Sequence, residues 1–179
     1  MRAAAPGHGT GAGRVVAALR ARGATLAVAE SLTGGALTAL LVTVPGVSAV
    51  LRGGVVAYAA DLKRDLLGVD ADLLAAEGPV HPEVARQMAV GVARRLGATH
   101  ALATTGVAGP GPADGRAVGT VHVAVATPGA VRVRSLRLAG GRAALRAASV
   151  DAALALLAGT LADPRPHPEG GEQPGPPRR

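Results

Sequence analysis

The chain lacks cysteine, tryptophan and phenylalanine, and Tyr58 is its single aromatic residue. The absence of thiols excludes disulfides, thiolate zinc sites and cysteine nucleophiles, and it suits a reducing compartment. Single-stranded nucleic acids usually stack on aromatic side chains, which this chain does not offer, and no helix-turn-helix or zinc-finger pattern occurs. We therefore expect no nucleic-acid partner.

Long hydrophobic runs are also lacking. The start of the chain has no apolar run of signal-peptide length, and the longest apolar stretch, 36–51, is interrupted by Pro45 and Gly46. We therefore expect a soluble, cytoplasmic protein that does not contact a membrane. Since 49% of the residues are hydrophobic, the chain can bury the core of one domain, built mainly from Ala, Val and Leu.

Lysine is nearly absent: Lys63 is the only one, and the other 18 basic residues are arginines. An arginine stays protonated at any working pH, whereas a lysine amine that is buried or crowded by cations can lose its proton and act as a base. The first hypothesis for Lys63 is therefore a general base. The alternative is an exposed lysine that an arginine-rich composition happened to retain.

Acidic residues are missing between Asp114 and Asp151. Six arginines fall in this segment: Arg116, Arg132, Arg134, Arg137, Arg142 and Arg146. Such a segment attracts anions and would suit a nucleotide phosphate or a nucleic acid backbone, although a solvated strand face explains each arginine taken singly.

The two ends of the chain have little to bury. Residues 1–11 are mostly Gly, Ala and Pro, and residues 163–179 are rich in Pro and Gly, so both are predicted to be disordered around one domain at 12–162. The predicted helices are 14–22, 36–44, 61–67, 70–77, 82–96 and 141–161, and the predicted strands are 25–29, 50–58, 101–105, 118–127 and 131–138. Strands that alternate with helices, with one hairpin, indicate an α/β sandwich with a mixed sheet.

Two loops follow buried strands, which is where open α/β sheets bind their ligands. The first, ESLTGG, is predicted to open a helix that places Ser31 at the mouth of an anion hole, while Gly34 and Gly35 let a ligand approach the backbone. Simple N-capping by Ser31 is the alternative interpretation.

The second loop, TTGVAGPG, offers the hydroxyls of Thr104 and Thr105 and a series of backbone amides without bulky side chains. Such a loop can hold a phosphate or polarise a carbonyl group, and a flexible connector is the alternative.

Ser31 needs a base before it can act as a nucleophile. The five histidines are weak candidates, because they fall in the terminal segments, at the start of a helix or inside strands: His8, His81, His100, His122 and His167. Lys63 is the remaining candidate, as in Ser-Lys acyl-transfer enzymes, and Tyr58 is expected to relay the proton or orient the substrate.

The sequence does not match the motifs of three other enzyme classes. A short-chain dehydrogenase places Tyr and Lys four apart on a helix after a Gly-rich dinucleotide fingerprint, whereas Tyr58 and Lys63 are five apart and GHGTGAG does not fit that fingerprint. No Walker loop and no cluster of His and carboxylate ligands occurs, so an NTPase and a metal hydrolase are not supported.

Four motifs in order carry a family resemblance: AESLTGG, VPGVSAVLRGGVVAYAADLKRDLLGV, EGPVHPEVARQMAVGVARR and TTGVAGPGPADGRAVGTVHVAVA. Over residues 12–160 the chain closely resembles the CinA-family C-terminal domain, the nicotinamide mononucleotide amidase. The resemblance implies a three-layer α/β/α fold with a mixed, mostly parallel sheet of about five strands. It also implies a homodimer. The stand-alone form of the domain is expected, because 179 residues leave no room for the N-terminal domain of larger relatives.

The activity that the resemblance implies is hydrolysis of the carboxamide of nicotinamide mononucleotide, giving nicotinate mononucleotide and ammonia in pyridine nucleotide salvage, with no metal or other cofactor. The family's catalytic residues fall on Ser31, Tyr58 and Lys63. The substrate-binding residues are expected at Glu30, Thr33, Gly34, Gly35, Thr105, Gly106 and Arg142.

The chain departs from the family at two places. Leu32 stands where many members have cysteine, which leaves Ser31 as the nucleophile, and Gly141 stands where members often have Asp before Arg142. The missing carboxylate keeps a second hypothesis open, a catalytically silent nucleotide-binding module or a partner protein linked to competence and DNA damage.

Overall fold

A computed structural model describes residues 11–162. The helices are α1 Gly11–Ala21, α2 Ala36–Val42, α3 Ala60–Leu67, α4 Ala71–Glu77, α5 Pro82–Leu96 and α6 Arg142–Ala162. The strands are β1 Leu26–Glu30, β2 Leu51–Val56, β3 His100–Gly106, β4 Thr120–Thr127 and β5 Ala130–Arg137, and a short 3-10 helix, Val47–Ala49, precedes β2.

The five strands form one mixed sheet in the order β2-β1-β3-β4-β5. β1 pairs in parallel with both β2 and β3, whereas β4 is antiparallel to β3 and to β5, so four of the five strands run in one direction. The chain leaves β1 through α2 on one face of the sheet and reaches β3 through α3 and α5 on the other face. The carboxyl ends of β1 and β3 therefore border a topological switch point, the usual ligand position in such a sheet.

The two faces of the sheet carry different side chains because successive strand residues alternate between faces. On the face under α1, α2 and α6, the strands contribute larger residues such as Val28, Leu102 and Val123. On the face under α3 and α5 the strands contribute almost only alanine: Ala27, Ala29, Ala101, Ala103, Ala124 and Ala126. The small side chains let α5 pack close to the middle of the sheet.

The contact between α3 and α5 is also tight. A Cβ atom at Gly91 of α5 would lie 1.8 Å from the carbonyl oxygen of Leu67, the last residue of α3, so only glycine fits there. This close approach holds α3 against α5, and α3 carries Lys63.

The predicted α/β/α fold is confirmed, and the predicted ends of helices and strands differ from the observed ones by at most three residues. The β1–β2 register shifts just before Gly53, and a Cβ at Gly54 would lie 2.4 Å from Thr38 Oγ1, so β2 has a bulge and a close approach to α2 at this glycine pair. Gly11, assigned to a disordered tail, is the first residue of α1. The disorder predictions for 1–10 and 163–179 concern residues outside the described range.

Helix α6 is, by length and composition, the one helix among residues 11–162 that could cross a membrane. In the structure, Leu145, Leu154 and Leu157 of α6 are buried in the cluster that also holds Val123 of β4, so this helix is a core element of the domain.

Candidate active site

In the described part of the chain, Lys63 is the largest side chain that is almost fully buried, with 1% of its surface exposed. Its amine nitrogen lies 3.1 Å from Ser31 Oγ, 2.8 Å from the carbonyl oxygen of Ala57 and 3.1 Å from the carbonyl oxygen of Tyr58. The alternative of an exposed lysine is therefore wrong. The structure brings together two residues that are 32 positions apart in the chain, as the base hypothesis requires.

Burial lowers the pKa of Lys63 from its ordinary value of 10.5 to about 8, while the charges of Asp114 and Asp61 oppose this decrease. Desolvation disfavours the charged ammonium, and nearby carboxylates favour it. No aspartate or glutamate forms a salt bridge with Lys63 among the described residues. A substantial fraction of Lys63 is therefore neutral at mildly alkaline pH.

The strand alternation explains why Ser31 meets Lys63. Glu30 is the last residue of β1, and its side chain lies on the α2 face, whereas Ser31 follows it and points to the α3 face. The backbone amide of Ser31 donates to the carbonyl oxygen of Thr104 over 3.0 Å, which extends the pairing of β1 with β3. Ser31 is thus fixed by the sheet, with 8% of its surface exposed.

Glu30 has a different position from the predicted substrate contact. It is fully buried, and its carboxylate accepts hydrogen bonds of 2.7–3.1 Å from the amides of Gly35, Leu37 and Thr38 and from the Thr38 hydroxyl. These amides are the ones that the start of α2 would have offered to a ligand. The predicted anion hole at this helix terminus is corrected: the protein's own carboxylate occupies it.

Thr33, Gly34 and Gly35 also lie outside the cavity that contains Ser31. The Thr33 hydroxyl is 2.8 Å from the Thr104 hydroxyl, and the Thr33 carbonyl accepts hydrogen bonds from Arg146. Gly34 and Gly35 adopt positive φ angles of 57° and 92°, which the turn into α2 requires. These three residues therefore shape the turn and do not line the site, in contrast to the prediction.

The second loop does reach the cavity. The Thr105 hydroxyl donates to the carbonyl oxygen of Pro79 over 2.8 Å, and Gly106 packs so closely that a Cβ there would lie 2.5 Å from the Thr120 carbonyl oxygen. The amide of Val107 donates to that same carbonyl oxygen. The loop is thus firmly attached to the sheet, in contrast to the flexible connector considered as the alternative.

Arg142 closes one side of the site. Its guanidinium donates to the carbonyl oxygen of Gly109 over 2.6 Å and to the Tyr58 hydroxyl over 2.9 Å. Tyr58 is 59% exposed and lies just after β2, two residues past the strand's last residue. Arg142 therefore links the loop after β3 to the segment after β2 across the cavity mouth.

The cavity has a volume of about 210 Å³. It is lined by Ser31, Leu32, Tyr58, Lys63, Pro79, Val80, Thr105, Gly106, Val107, Ala108, Gly109, Gly111, Ala113, Asp114 and Arg142. Six of the ten predicted site residues are among them. Sequence reasoning missed Asp114, whose available signal was the Asp-Gly dipeptide typical of tight hairpin turns.

The histidines of the described residues do not line this cavity. His81 caps α5 by accepting a hydrogen bond from the Glu83 amide, and His100 begins β3. Burial, with the positive charges around it, lowers the pKa of His122 to about 4, so this side chain is neutral at physiological pH. Within residues 11–162 no group of three His, Asp or Glu side chains is placed to hold a metal ion.

The fold and the site together define an α/β domain with a buried serine–lysine pair at the carboxyl edge of its sheet. The family model of the CinA C-terminal domain matches residues 10–161, and the chain belongs to the CinA family.

Relatives and solved structures agree with this assignment. A CinA-like protein of Frankia casuarinae is 53% identical over 150 residues, which cover 84% of this chain and 35% of that protein, and one of Mycolicibacterium gilvum is 49% identical, covering 79% of this chain and 34% of that protein. The chain thus spans about a third of the length of these relatives. The crystal structure of the competence/damage inducible protein CihA from Agrobacterium tumefaciens is similar with a TM-score of 0.83 and 37% identity, covering 90% of this chain and all of that one.

Proposed function

We propose that this protein is an amidase in which Lys63 activates Ser31 to attack a carboxamide, with nicotinamide mononucleotide as the substrate. The observation that carries the proposal is the 3.1 Å contact between the buried Lys63 amine and the Ser31 hydroxyl inside a cavity. Serine is a weak nucleophile until a base removes its proton, and a buried lysine with a pKa of about 8 is such a base.

The three oxygens around the Lys63 amine suit both of its protonation states. A neutral amine has two N–H groups and one lone pair, and its three neighbours are the carbonyl oxygens of Ala57 and Tyr58 and the Ser31 hydroxyl. The ammonium donates to all three oxygens, whereas in the neutral amine the two carbonyls take the two N–H groups and leave the lone pair for the hydroxyl proton. The same contacts therefore hold the amine beside Ser31 before and after it takes up the proton.

The reaction proceeds in two steps. Ser31 Oγ forms a bond to the carboxamide carbon while its proton passes to Lys63, and Lys63 then gives that proton to the departing nitrogen, which leaves as ammonia. Water next attacks the ester, with Lys63 accepting its proton and returning it to Ser31, and the carboxylic acid is released.

Backbone amides stabilise the negative charge on the carbonyl oxygen in this proposal. The amides of Ser31, Gly34 and Gly35 are already bound to other groups of the protein. In the two loops that meet at the cavity, Leu32 and Ala108 line the wall, and no hydrogen bond occupies their amides within residues 11–162. We assign the oxyanion contact to these two amides.

Arg142 is the proposed phosphate contact, because among residues 11–162 it is the single arginine that lines the cavity, and it bonds the exposed Tyr58 hydroxyl. A guanidinium suits a phosphate through paired N–H donors. The cavity of about 210 Å³ is smaller than a typical drug-sized pocket, which fits a ring carboxamide bound inside with the phosphate outside. A cysteine-free chain also suits the reducing cytoplasm, where we place this activity.

Ammonia release from nicotinamide mononucleotide tests the proposal directly. Wild type and the surface control Ser48→Ala, which alters an exposed hydroxyl, are expected to turn over equally. Ser31→Ala is expected to lose all measurable activity, and Lys63→Arg at least about a hundredfold, because a guanidinium does not give up its proton.

Wild-type-like turnover in a folded Lys63→Arg variant would eliminate the lysine base. Binding of the mononucleotide by wild type without ammonia release would instead indicate a silent module, and steeply salt-dependent DNA binding would indicate a nucleic-acid role.

A further inference from the structure

Asp114 occupies the tip of a two-residue hairpin in the loop between β3 and β4. Ala113 and Arg116 exchange both backbone hydrogen bonds, of 2.9 and 3.1 Å, across Asp114 and Gly115. The φ angles of Asp114 and Gly115 are 51° and 70°, and Asp114 is the one non-glycine residue with positive φ in the described part of the chain. These values suit the tight turn that an Asp-Gly pair favours.

The hairpin is attached to the end of α4. Arg116 donates a hydrogen bond of 3.1 Å to the Glu77 carboxylate, and a Cβ added at Gly78 would lie 3.3 Å from the Asp114 Cβ. Both contacts hold the hairpin tip over the cavity. The position of Asp114 is thus set by a fixed turn and not by a free loop.

Asp114 is the only carboxylate on the cavity wall, among the described residues. The other two charged groups there are cations, the Lys63 amine and the Arg142 guanidinium. The apolar residues Leu32, Pro79 and Val80 are among those that line the rest of the cavity. The wall therefore offers a flat ligand one negative charge beside apolar contacts, with the guanidinium of Arg142 at the mouth.

We propose that Asp114 is a specificity-determining residue that selects carboxamides carried on a cationic aromatic ring over those on a neutral ring. The inference rests on the proposed amidase function and assigns the charge selectivity of its site to one residue. A carboxylate beside a delocalised ring cation favours binding by charge attraction, whereas a neutral ring gains nothing from it.

The Asp114 carboxylate also couples the charge of the bound substrate ring to the protonation of Lys63. The charges of Asp114 and Asp61 favour the ammonium form of Lys63, and the Arg142 guanidinium lines the same cavity. A ring cation next to Asp114 offsets the field of that carboxylate at Lys63, so the neutral amine becomes more populated when the cationic substrate binds. A neutral amide leaves Asp114 unopposed.

The test compares two ligands on two proteins. The ligands are nicotinamide mononucleotide and benzamide riboside 5′-monophosphate, a neutral isostere with carbon in place of the ring nitrogen. Their dissociation constants are measured by calorimetry on Ser31→Ala, which prevents turnover, with and without Asp114→Asn. Asparagine tolerates the positive φ of this position, so the hairpin is expected to persist.

Asp114→Asn is expected to weaken the cationic ligand five- to tenfold and the neutral isostere less than twofold. Asp151→Asn, the same charge change at an exposed position of α6 away from the cavity, is expected to alter neither. Equal weakening of both ligands, or no weakening of the cationic one, would overturn the inference.

The pH dependence of kcat/KM distinguishes an electrostatic effect of Asp114 on Lys63 from a purely structural role of Asp114. In the Ser31-containing protein, Asp114→Asn is expected to shift the ascending limb of kcat/KM to lower pH, because the removed carboxylate favours the Lys63 ammonium. An unmoved limb would contradict the link between Asp114 and the base. If wild type releases ammonia but the selectivity does not depend on Asp114, this inference alone fails; if wild type releases none, the amidase proposal fails with it.

Discussion

The amine of Lys63 lies 2.8 Å from the carbonyl oxygen of Ala57, six positions earlier in the chain. The turn between β2 and α3 therefore folds back so that its own backbone holds the amine. Because a backbone carbonyl cannot change its protonation, this contact positions the amine equally in its charged and neutral forms. The protonation of Lys63 is then set by burial and by the nearby carboxylates.

The pH dependence of the reaction follows from this lysine. The pKa of Lys63 is lowered to about 8, so the fraction of neutral amine rises as the pH rises through that value. We expect kcat/KM for ammonia release to increase about tenfold per pH unit below 8 and to level off above it. Initial rates between pH 6 and 10 measure this profile, and a rate that is flat across this range would exclude Lys63 as the base.

Stability should depend on pH for the same reason. Between about 8 and 10.5 the native lysine has lost its proton while the unfolded one keeps it, so the unfolded state binds more protons and the free energy of unfolding rises with pH. Relative to Lys63→Met, wild type should gain about 3 kcal/mol across this window. Denaturant unfolding of both proteins at pH 7 and 11 measures the difference, and parallel pH curves would contradict the burial argument.

Replacing Glu30 should destabilise the fold without changing any wall of the cavity. In Glu30→Gln an amide nitrogen would face donors at the start of α2, so at least one buried donor loses its acceptor, at a cost of about 2–4 kcal/mol. The control is Glu83→Gln, which removes a partly exposed carboxylate in the first turn of α5 that pairs with Arg86, and it should cost at most about 1 kcal/mol. Thermal unfolding compares the two, and equal losses would mean that burial of the Glu30 carboxylate adds nothing.

Two helix glycines should respond to alanine with opposite signs. Gly91→Ala must push Leu67 and α3 away from α5, with an expected loss of about 1–3 kcal/mol and a fall in activity, since α3 carries Lys63. Gly159→Ala in α6 meets open space and should stabilise the protein by about 0.5–1 kcal/mol with unchanged activity. Urea unfolding and ammonia release measure both effects, and a stable, fully active Gly91→Ala protein would show that α3 is not held by this contact.

The fold was predictable from the sequence because its signals are local. The i+4 spacing of Val84, Met88 and Val92 indicates α5, and the Pro128–Gly129 pair between two apolar runs indicates the hairpin of β4 and β5. The end of β2 was less predictable, since the apolar pattern continues through Ala57, whose amide still donates to the Glu30 carbonyl oxygen, to Tyr58, which lies beyond the strand.

The site was predictable in part. Lys63 and Ser31 were found because each is chemically unusual where it stands, one as the only lysine and the other after a buried strand. The inward-facing position of Glu30 was missed, because a motif gives residue order but not which face of the sheet a side chain takes. Asp114 was missed because its approach to the cavity depends on a contact with Gly78, which is 36 positions away.

At the end of β1, Glu30 caps helix α2 and the next residue, Ser31, is the proposed nucleophile. A slip of this strand by a single position against β3 would turn the carboxylate toward the lysine and leave α2 uncapped. Incorrect strand alignment would thus abolish chemistry and destabilise a helix together, so catalytic competence of a purified sample also reports that its central strand has paired correctly.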